Sequence, residues 1–212
     1  MKEKILFGLK WFFKSFIWLF IVLLGLDILS KQLVMHSGLV PNSGDYINWG
    51  FVHIGYVLNE GAAFGMGTGN ALTNRIIYLV VASLISIGLV TYMIIKRKDM
   101  KMYIRACLVM VVTGAIGNMI DRIFYTQVDN RVVDWIDFWW FWDFNFNIAD
   151  CCIVISAFML IIYIIVTEVK EVIARRNAEL AEENSSEVVE QSITEDENDT
   201  DDDADDNEDD SK

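Results

Sequence analysis

The sequence predicts an α-helical integral membrane protein with four transmembrane helices, a small extracytoplasmic β-rich element and a disordered acidic C-terminal tail. Three observations carry this. Hydrophobic residues make up 54% of the 212 residues and charged residues only 22%, more apolar material than a soluble domain of this size needs to bury. Four apolar runs approach the roughly 20 residues that cross a bilayer. The charge is split: residues 1–167 carry 13 Lys and Arg against 11 Asp and Glu, whereas residues 168–212 carry 4 against 19. The net charge of −13 therefore belongs to the tail, and the low pI says nothing about the body.

The first apolar run covers residues 11–33 and has a basic start at Lys2, Lys4, Lys10 and Lys14. A cleaved signal peptide would also start this way, but the run leads into Asp27 and Lys31 with no small-x-small site, so an uncleaved helix is expected. The second run, 76–95, has no charge. The third and fourth, 106–120 and 151–167, reach spanning length only if the polar residues at their ends enter the membrane. The expected helices are thus 11–33, 75–95, 104–122 and 148–167, within a membrane domain of residues 1–177.

Lysine and arginine cluster before the first run, between the second and third (Lys96, Arg97, Lys98, Lys101, Arg105) and after the fourth (Lys170, Arg175, Arg176). Residues 34–74 contain none, and 121–147 contain only Arg122 and Arg131. Basic loops stay in the cytoplasm. Both termini are expected inside, with 34–74 and 121–147 outside. Residues 46–58 are rich in β-formers and read as short strands. Residues 178–212 nearly lack large apolar side chains and read as a disordered, solvated cytoplasmic tail.

Few function classes survive. Cys107, Cys151 and Cys152 lie in apolar runs and read as small buried hydrophobes. There is no Cys-x-x-Cys pair, no His-Glu-x-x-His and no phosphate-binding Gly-x-x-x-x-Gly-Lys loop. Basic excess is confined to short clusters, so no nucleic-acid partner is expected.

With this topology, Asp27, Lys31, Asn118, Asp121, Arg122, Asn147 and Asp150 all fall at the outer ends of helices, and Asp134 and Asp137 in the outer loop between the third and fourth. Ionisable groups at membrane depth are costly and point to function. Asp27 and Lys31, four apart on one helix, also suit a structural ion pair, as does Asp121 with Arg122 or Arg131. Basic partners run out, however: Asp121, Asp134, Asp137, Asp143 and Asp150 face only Arg122 and Arg131. Two close carboxylates in a partly dry site share a proton, and such a pair can serve as base and acid on a peptide bond. The aromatic run from Asp134 to Asp150 suits the membrane interface. Residues 59–65 contain Asn59, Gly61 and Ala63, small or amide side chains that suit either a turn or close approach to a ligand. Gly114 and Gly117 read as helix-packing residues. Acids inside a membrane also mark ion pathways, but here they ring one mouth and do not cross.

Five motifs in order resemble the lipoprotein signal peptidase (signal peptidase II) family of bacterial membrane aspartyl proteases. They are Asp27-x-x-x-Lys31, the segment from Asn59 through Gly61 and Ala63 to Gly65, Gly117-Asn-x-x-Asp-Arg122, Val132-Val-Asp-x-Ile-Asp137 and Phe146-Asn-x-Ala-Asp150. Ser30, Glu60 and Trp135 depart from the family's usual residues. The resemblance implies that Asp134 and Asp150 form the catalytic dyad. It also implies that Asp27, Lys31, Asn59, Gly61, Ala63, Asn118, Asp121, Arg122 and Asn147 support or bind substrate. It further implies prolipoprotein substrates bearing a diacylglyceryl cysteine, cleavage before that cysteine at the outer surface, membrane lipids as surroundings, no metal or organic cofactor, and inhibition by globomycin.

Overall fold

The computed structural model describes residues 12–13, 15–61, 70–142 and 144–201, with side chains to Glu182. Helix α1 spans Ile17–Met35, α2 Ala71–Ile95, α3 Met102–Phe124 and α4 Ile148–Asp201; strands β1 (Ile47–Trp49), β2 (Val52–Asn59), β3 (Val132–Asp137) and β4 (Asn145–Phe146) and a 3-10 turn, Thr126–Val128, lie between them. All four helices are long and apolar enough to cross a membrane, α4 through its Ile148–Glu182 portion.

Helix boundaries follow local chemistry. Phe16, at φ 60°, stands in the left-handed region and interrupts the expected 11–33 helix, so α1 proper starts at Ile17. Helix α2 starts earlier than expected because the Asn70 side chain accepts the Thr73 N–H at 3.0 Å, capping a polar first turn. Helix α4 starts at Ile148 as expected but passes residue 167. No Gly or Pro follows Gly117, so nothing in the sequence breaks it. Residues 168–182 are all exposed. A helix stretch with no packed face is held by local hydrogen bonds alone and is marginal in water, so residues 168–182 add nothing to a core.

The chain divides into two compact units, Met1–Leu160 and Ile161–Lys212. The strands form one antiparallel sheet in the order β1-β2-β3-β4. Its register pairs Val57 with Asp134 and Asn59 with Val132, and shifts between Ile54 and Val57. Strand β3 departs from the expected outer loop: Asp134 and Asp137 lie on a strand. A small core of Val34, Tyr56, Tyr125, Val128 and Val133 joins the sheet to the adjoining ends of α1 and α3.

Two glycines on α3 let three helices close together, as read from the sequence. A Cβ at Gly117 would lie 2.8 Å from Asp27 Oδ2 and 2.9 Å from the Ala149 Cβ. One at Gly114 would overlap the Ala149 carbonyl oxygen and the Ile153 side chain. The first turn of α4 therefore lies directly on α3, with Asp27 of α1 against the same spot.

Candidate active site

The site starts from a helix cap. Asn147 precedes α4, and its Oδ1 accepts the Asp150 N–H at 2.9 Å; Asp150 Oδ2 in turn accepts the Asn147 N–H at 3.2 Å. This is a reciprocal capping box, which satisfies two helix-end donors at once. It fixes the Asp150 carboxylate at the helix mouth. The other Asp150 oxygen, Oδ1, accepts from Asn118 Nδ2 at 2.7 Å.

Asp134 reaches the same place from β3. Asn147 Nδ2 donates to its Oδ1 at 2.6 Å and Asn59 Nδ2, at the end of β2, donates to its Oδ2 at 2.9 Å. Asn147 thus touches both carboxylates, one through its amide nitrogen and the other through its cap. Asp134 is 2% exposed. Burial first, then the charge of Asp150, push its carboxyl up to about 7, against the lowering effect of the two amide donors.

Behind the two acids lies a charged layer with no solvent access. Lys31 Nζ contacts Asp27 Oδ2 and Asp121 Oδ2, each at 2.8 Å, and donates to Asn118 Oδ1 at 3.3 Å. That uses all three ammonium protons. Asp27 Oδ1 accepts the Ala149 N–H at 2.9 Å, and Asp121 Oδ2 the Val133 N–H at 3.2 Å. One lysine therefore anchors carboxylates that hold the start of α4 and of β3, the elements carrying Asp150 and Asp134. Its contact with Asn118 Oδ1 also orients that amide so that Nδ2 faces Asp150. The expected Asp27–Lys31 pair is present. The expected partners of Asp121 are corrected: it pairs with Lys31, while Arg131 turns to Glu60 at 3.4 Å and Asp129 at 2.8 Å. Sequence separation hid this, because Lys31 and Asp121 meet only when α1 packs on α3.

Arg122 closes another side. It donates from Nη2 to the Gly61 carbonyl at 2.6 Å and from Nη1 to the Asn118 carbonyl at 3.1 Å, over the Tyr78 ring at 5.1 Å. The Gly61 N–H donates to Asn59 Oδ1 at 2.8 Å, so Asn59 is held by one end and offers the other to Asp134. A cavity of about 650 Å³ opens onto this group, lined by Asn59, Gly61, Asn118, Arg122, Asp134 and Asp150. Its apolar wall is Val57, Phe144, Phe146, Ile153 and Val154. The wall residues were missed in the sequence, although the outward alternation of β2 and the face of α4 one turn past Asp150 were available signals.

Ten of the eleven expected site residues thus lie in one connected cluster. Ala63 lies outside the described residues, as does Asp143. Asp137 points elsewhere, with its Oδ2 3.6 Å from His53 Nδ1. Among the described residues no three His, Cys, Asp or Glu side chains are grouped to hold a metal.

Residues 19–166 match the family described as Signal peptidase (SPase) II. The lipoprotein signal peptidase of Clostridioides difficile (strain 630) is 34% identical over 155 residues, 73% of this chain and 97% of that protein. That of Fusobacterium nucleatum is 36% identical over 148 residues, 69% of this chain and 84% of that one. Two solved bacterial membrane enzymes, both obtained by the in meso method, share the fold. One aligns with TM-score 0.59 and 27% identity over 70% of this chain and 86% of its own. The other gives 0.57 and 28% over 70% and 90%.

Proposed function

Since the chain belongs to the signal peptidase II family, and is thus an aspartic-type signal peptidase of a multi-pass bacterial membrane protein fold, we propose that Asp134 and Asp150 are its catalytic pair. We further propose that it cleaves diacylglyceryl-modified prolipoproteins immediately before the lipidated cysteine, at the outer membrane surface. The observation that carries this is a pair of carboxylates joined through one amide, Asn147, and opening on one cavity. Two like charges so placed favour a state with one shared proton. The ionised member takes a proton from water as it attacks the scissile carbonyl, and the neutral member protonates the carbonyl oxygen. The amine then leaves with a proton returned by the pair. Asn59, Asn118 and Asn147 hold both carboxylates in register through this cycle. The apolar wall from Val57 to Val154 suits the acyl and signal-helix portions of the substrate. Residues 178–212 act as a solvated cytoplasmic appendage without a role in turnover.

The direct test uses the full chain in detergent with a diacylglyceryl prolipoprotein. Cleavage is expected before the lipidated cysteine. A precursor with that cysteine replaced by serine should stay intact, globomycin should block turnover, and a chain lacking residues 178–212 should turn over at the full-length rate per molecule. Equal cleavage of the unlipidated precursor would refute the substrate assignment.

The proposed sidedness has its own test. The Asn42 side chain accepts the Leu58 N–H at 2.9 Å and its backbone is left-handed at φ 58°, so a cysteine there disturbs the fold. Exposed Asp45 and Thr126 serve better. In a background without Cys107, Cys151 and Cys152, D45C and T126C should react with an impermeant thiol reagent in intact cells. Reaction only after lysis would invert the topology and move the carboxylate pair to the cytoplasmic side.

A further inference from the structure

A second cavity, of about 510 Å³, lies at the far end of the helices from the two acids, between α1, α2 and α3. That volume is within the roughly 300–1,000 Å³ of small-ligand sites. Arg105 and Asp121 stand sixteen positions apart on α3, about 24 Å along its axis, so the two cavities are separate. The floor is apolar: Val109 and Val112 of α3 are buried there, and Phe20, Val90, Met93 and Ile116 form the sides. The mouth is cationic, with Arg97 and Arg105 both on the lining. Arg105 Nη2 donates to the Arg97 carbonyl across the α2–α3 connection, which holds the two residues side by side. Lys96, Lys98 and Lys101 flank them in sequence, with Asp99 as the acid within residues 96–105. Phe16 completes the rim in its left-handed conformation at φ 60°. A bulky residue held there is strained, and such outliers mark places where a particular backbone path is required. Here that path sets Ser15 and Phe16 beside the opening.

We propose that this cleft binds one anionic phospholipid, with the phosphate diester on the Arg97 and Arg105 guanidiniums and one acyl chain along the Val109–Val112 floor. The chemistry selects this occupant over the alternatives. An apolar floor at membrane depth takes a hydrocarbon chain, and two guanidiniums at its mouth match a phosphate in a way that a zwitterionic headgroup satisfies less well. The chain's own leading segment is a poor occupant, since Lys2, Lys4 and Lys10 would bring cations to a cationic mouth. By the proposed topology the lipid belongs to the cytoplasmic leaflet. Binding itself does not rest on that sidedness or on the cleavage reaction.

The test is competition between dioleoyl phosphatidylglycerol and dioleoyl phosphatidylcholine in mixed micelles, read by native mass spectrometry of the full chain. The wild type should retain one phosphatidylglycerol with a preference of about tenfold or more, the order two basic residues at a phosphate confer. R97Q/R105Q should lose the preference. K96Q/K98Q, with the same change in charge but outside the cavity lining, should keep it. I94W, which narrows the cleft from the lipid side while leaving both arginines, should retain less lipid of either kind. Glycerol 3-phosphate in large excess should not displace the bound lipid. Equal retention of the two lipids by the wild type overturns the proposal, as does equal loss in K96Q/K98Q, which would indicate only diffuse attraction to an anionic surface. Displacement by glycerol 3-phosphate would overturn the acyl-chain half. Prolipoprotein cleavage by each variant in phosphatidylcholine reports whether it is folded.

Discussion

Asp134→Asn and Asp150→Asn are each expected to lower prolipoprotein cleavage by about 10²–10⁴-fold, the usual effect of losing an acid–base partner, with membrane insertion intact. An amide can neither take a proton from water nor give one to the leaving amine. The substitutions are close in shape but not silent. In Asp134→Asn one new donor must face either Asn147 Nδ2 or Asn59 Nδ2, both of which donate to the carboxylate. That mismatch is worth about 1–3 kcal/mol of local stability, so activity must be normalised to folded protein. Near-normal turnover by either variant on purified substrate would rule out the pair. The pH profile supplies an independent reading. Asp134 is held up to about 7 by burial and then by Asp150. A raised carboxyl keeps its proton to higher pH, so the singly protonated pair is depleted as pH rises above about 7, and turnover should fall there. It should fall again on the acid side, as the second proton binds. In Asp150→Asn the neighbouring charge is gone, so the Asp134 carboxyl should titrate lower than in the wild type, though burial still holds it up. A residual activity with an unchanged alkaline limb would contradict the coupling.

Lys31→Met should be strongly destabilising to the membrane domain. The ammonium is fully buried with both carboxylate partners, all at 0% side-chain exposure. Methionine fills similar volume but leaves Asp27 and Asp121 facing each other without a cation. Breaking a buried pair in this way typically costs about 3–5 kcal/mol, even though the intact pair adds little over an apolar substitute. The damage should reach the site, because Asp27 holds the Ala149 amide, Asp121 the Val133 amide, and Lys31 the Asn118 oxygen. A lowered thermal midpoint in detergent and reduced turnover are expected together. Arginine should not rescue: its planar fork does not fit a slot built for three donors on one point. Adding Asp121→Asn to Lys31→Met should restore part of the stability, since one of the two stranded charges is then removed. A midpoint unchanged in Lys31→Met, or no recovery in the double variant, would show that the layer is not an ion cluster in the folded protein.

Much of the architecture is a property of local sequence. Uninterrupted apolar runs near 20 residues long admit few structures besides spanning helices, because the backbone must satisfy its own hydrogen bonds in lipid. Accordingly α2 and the start of α4 appear close to where composition places them. The β-rich character of 46–58 is equally local, and β1 and β2 form there. The surplus of aspartates at one set of helix ends was visible as arithmetic, and pointed to a shared proton before any geometry. Which two acids make the pair was not visible that way: Asp134 and Asp150 were singled out by resemblance of motifs.

What only the tertiary structure decided is which distant residues face one another. Lys31 could be paired with Asp27 from spacing alone, since four residues make one helical turn. Its second partner, Asp121, is ninety positions away and becomes a neighbour because Gly114 and Gly117 let α3 close on Asp27 and on α4. The same closeness makes Asn147 at once a helix cap and the link between two acids, and frees Arg131 to pair with Glu60. Strand β3 is a further case. Its sequence reads as part of the loop leading into an aromatic run until β2 lies beside it, and the register Val57 to Asp134 then places one carboxylate inward. Periodicity records which face of an element is apolar. It does not record which ends of elements meet, because that depends on the packing of all of them together.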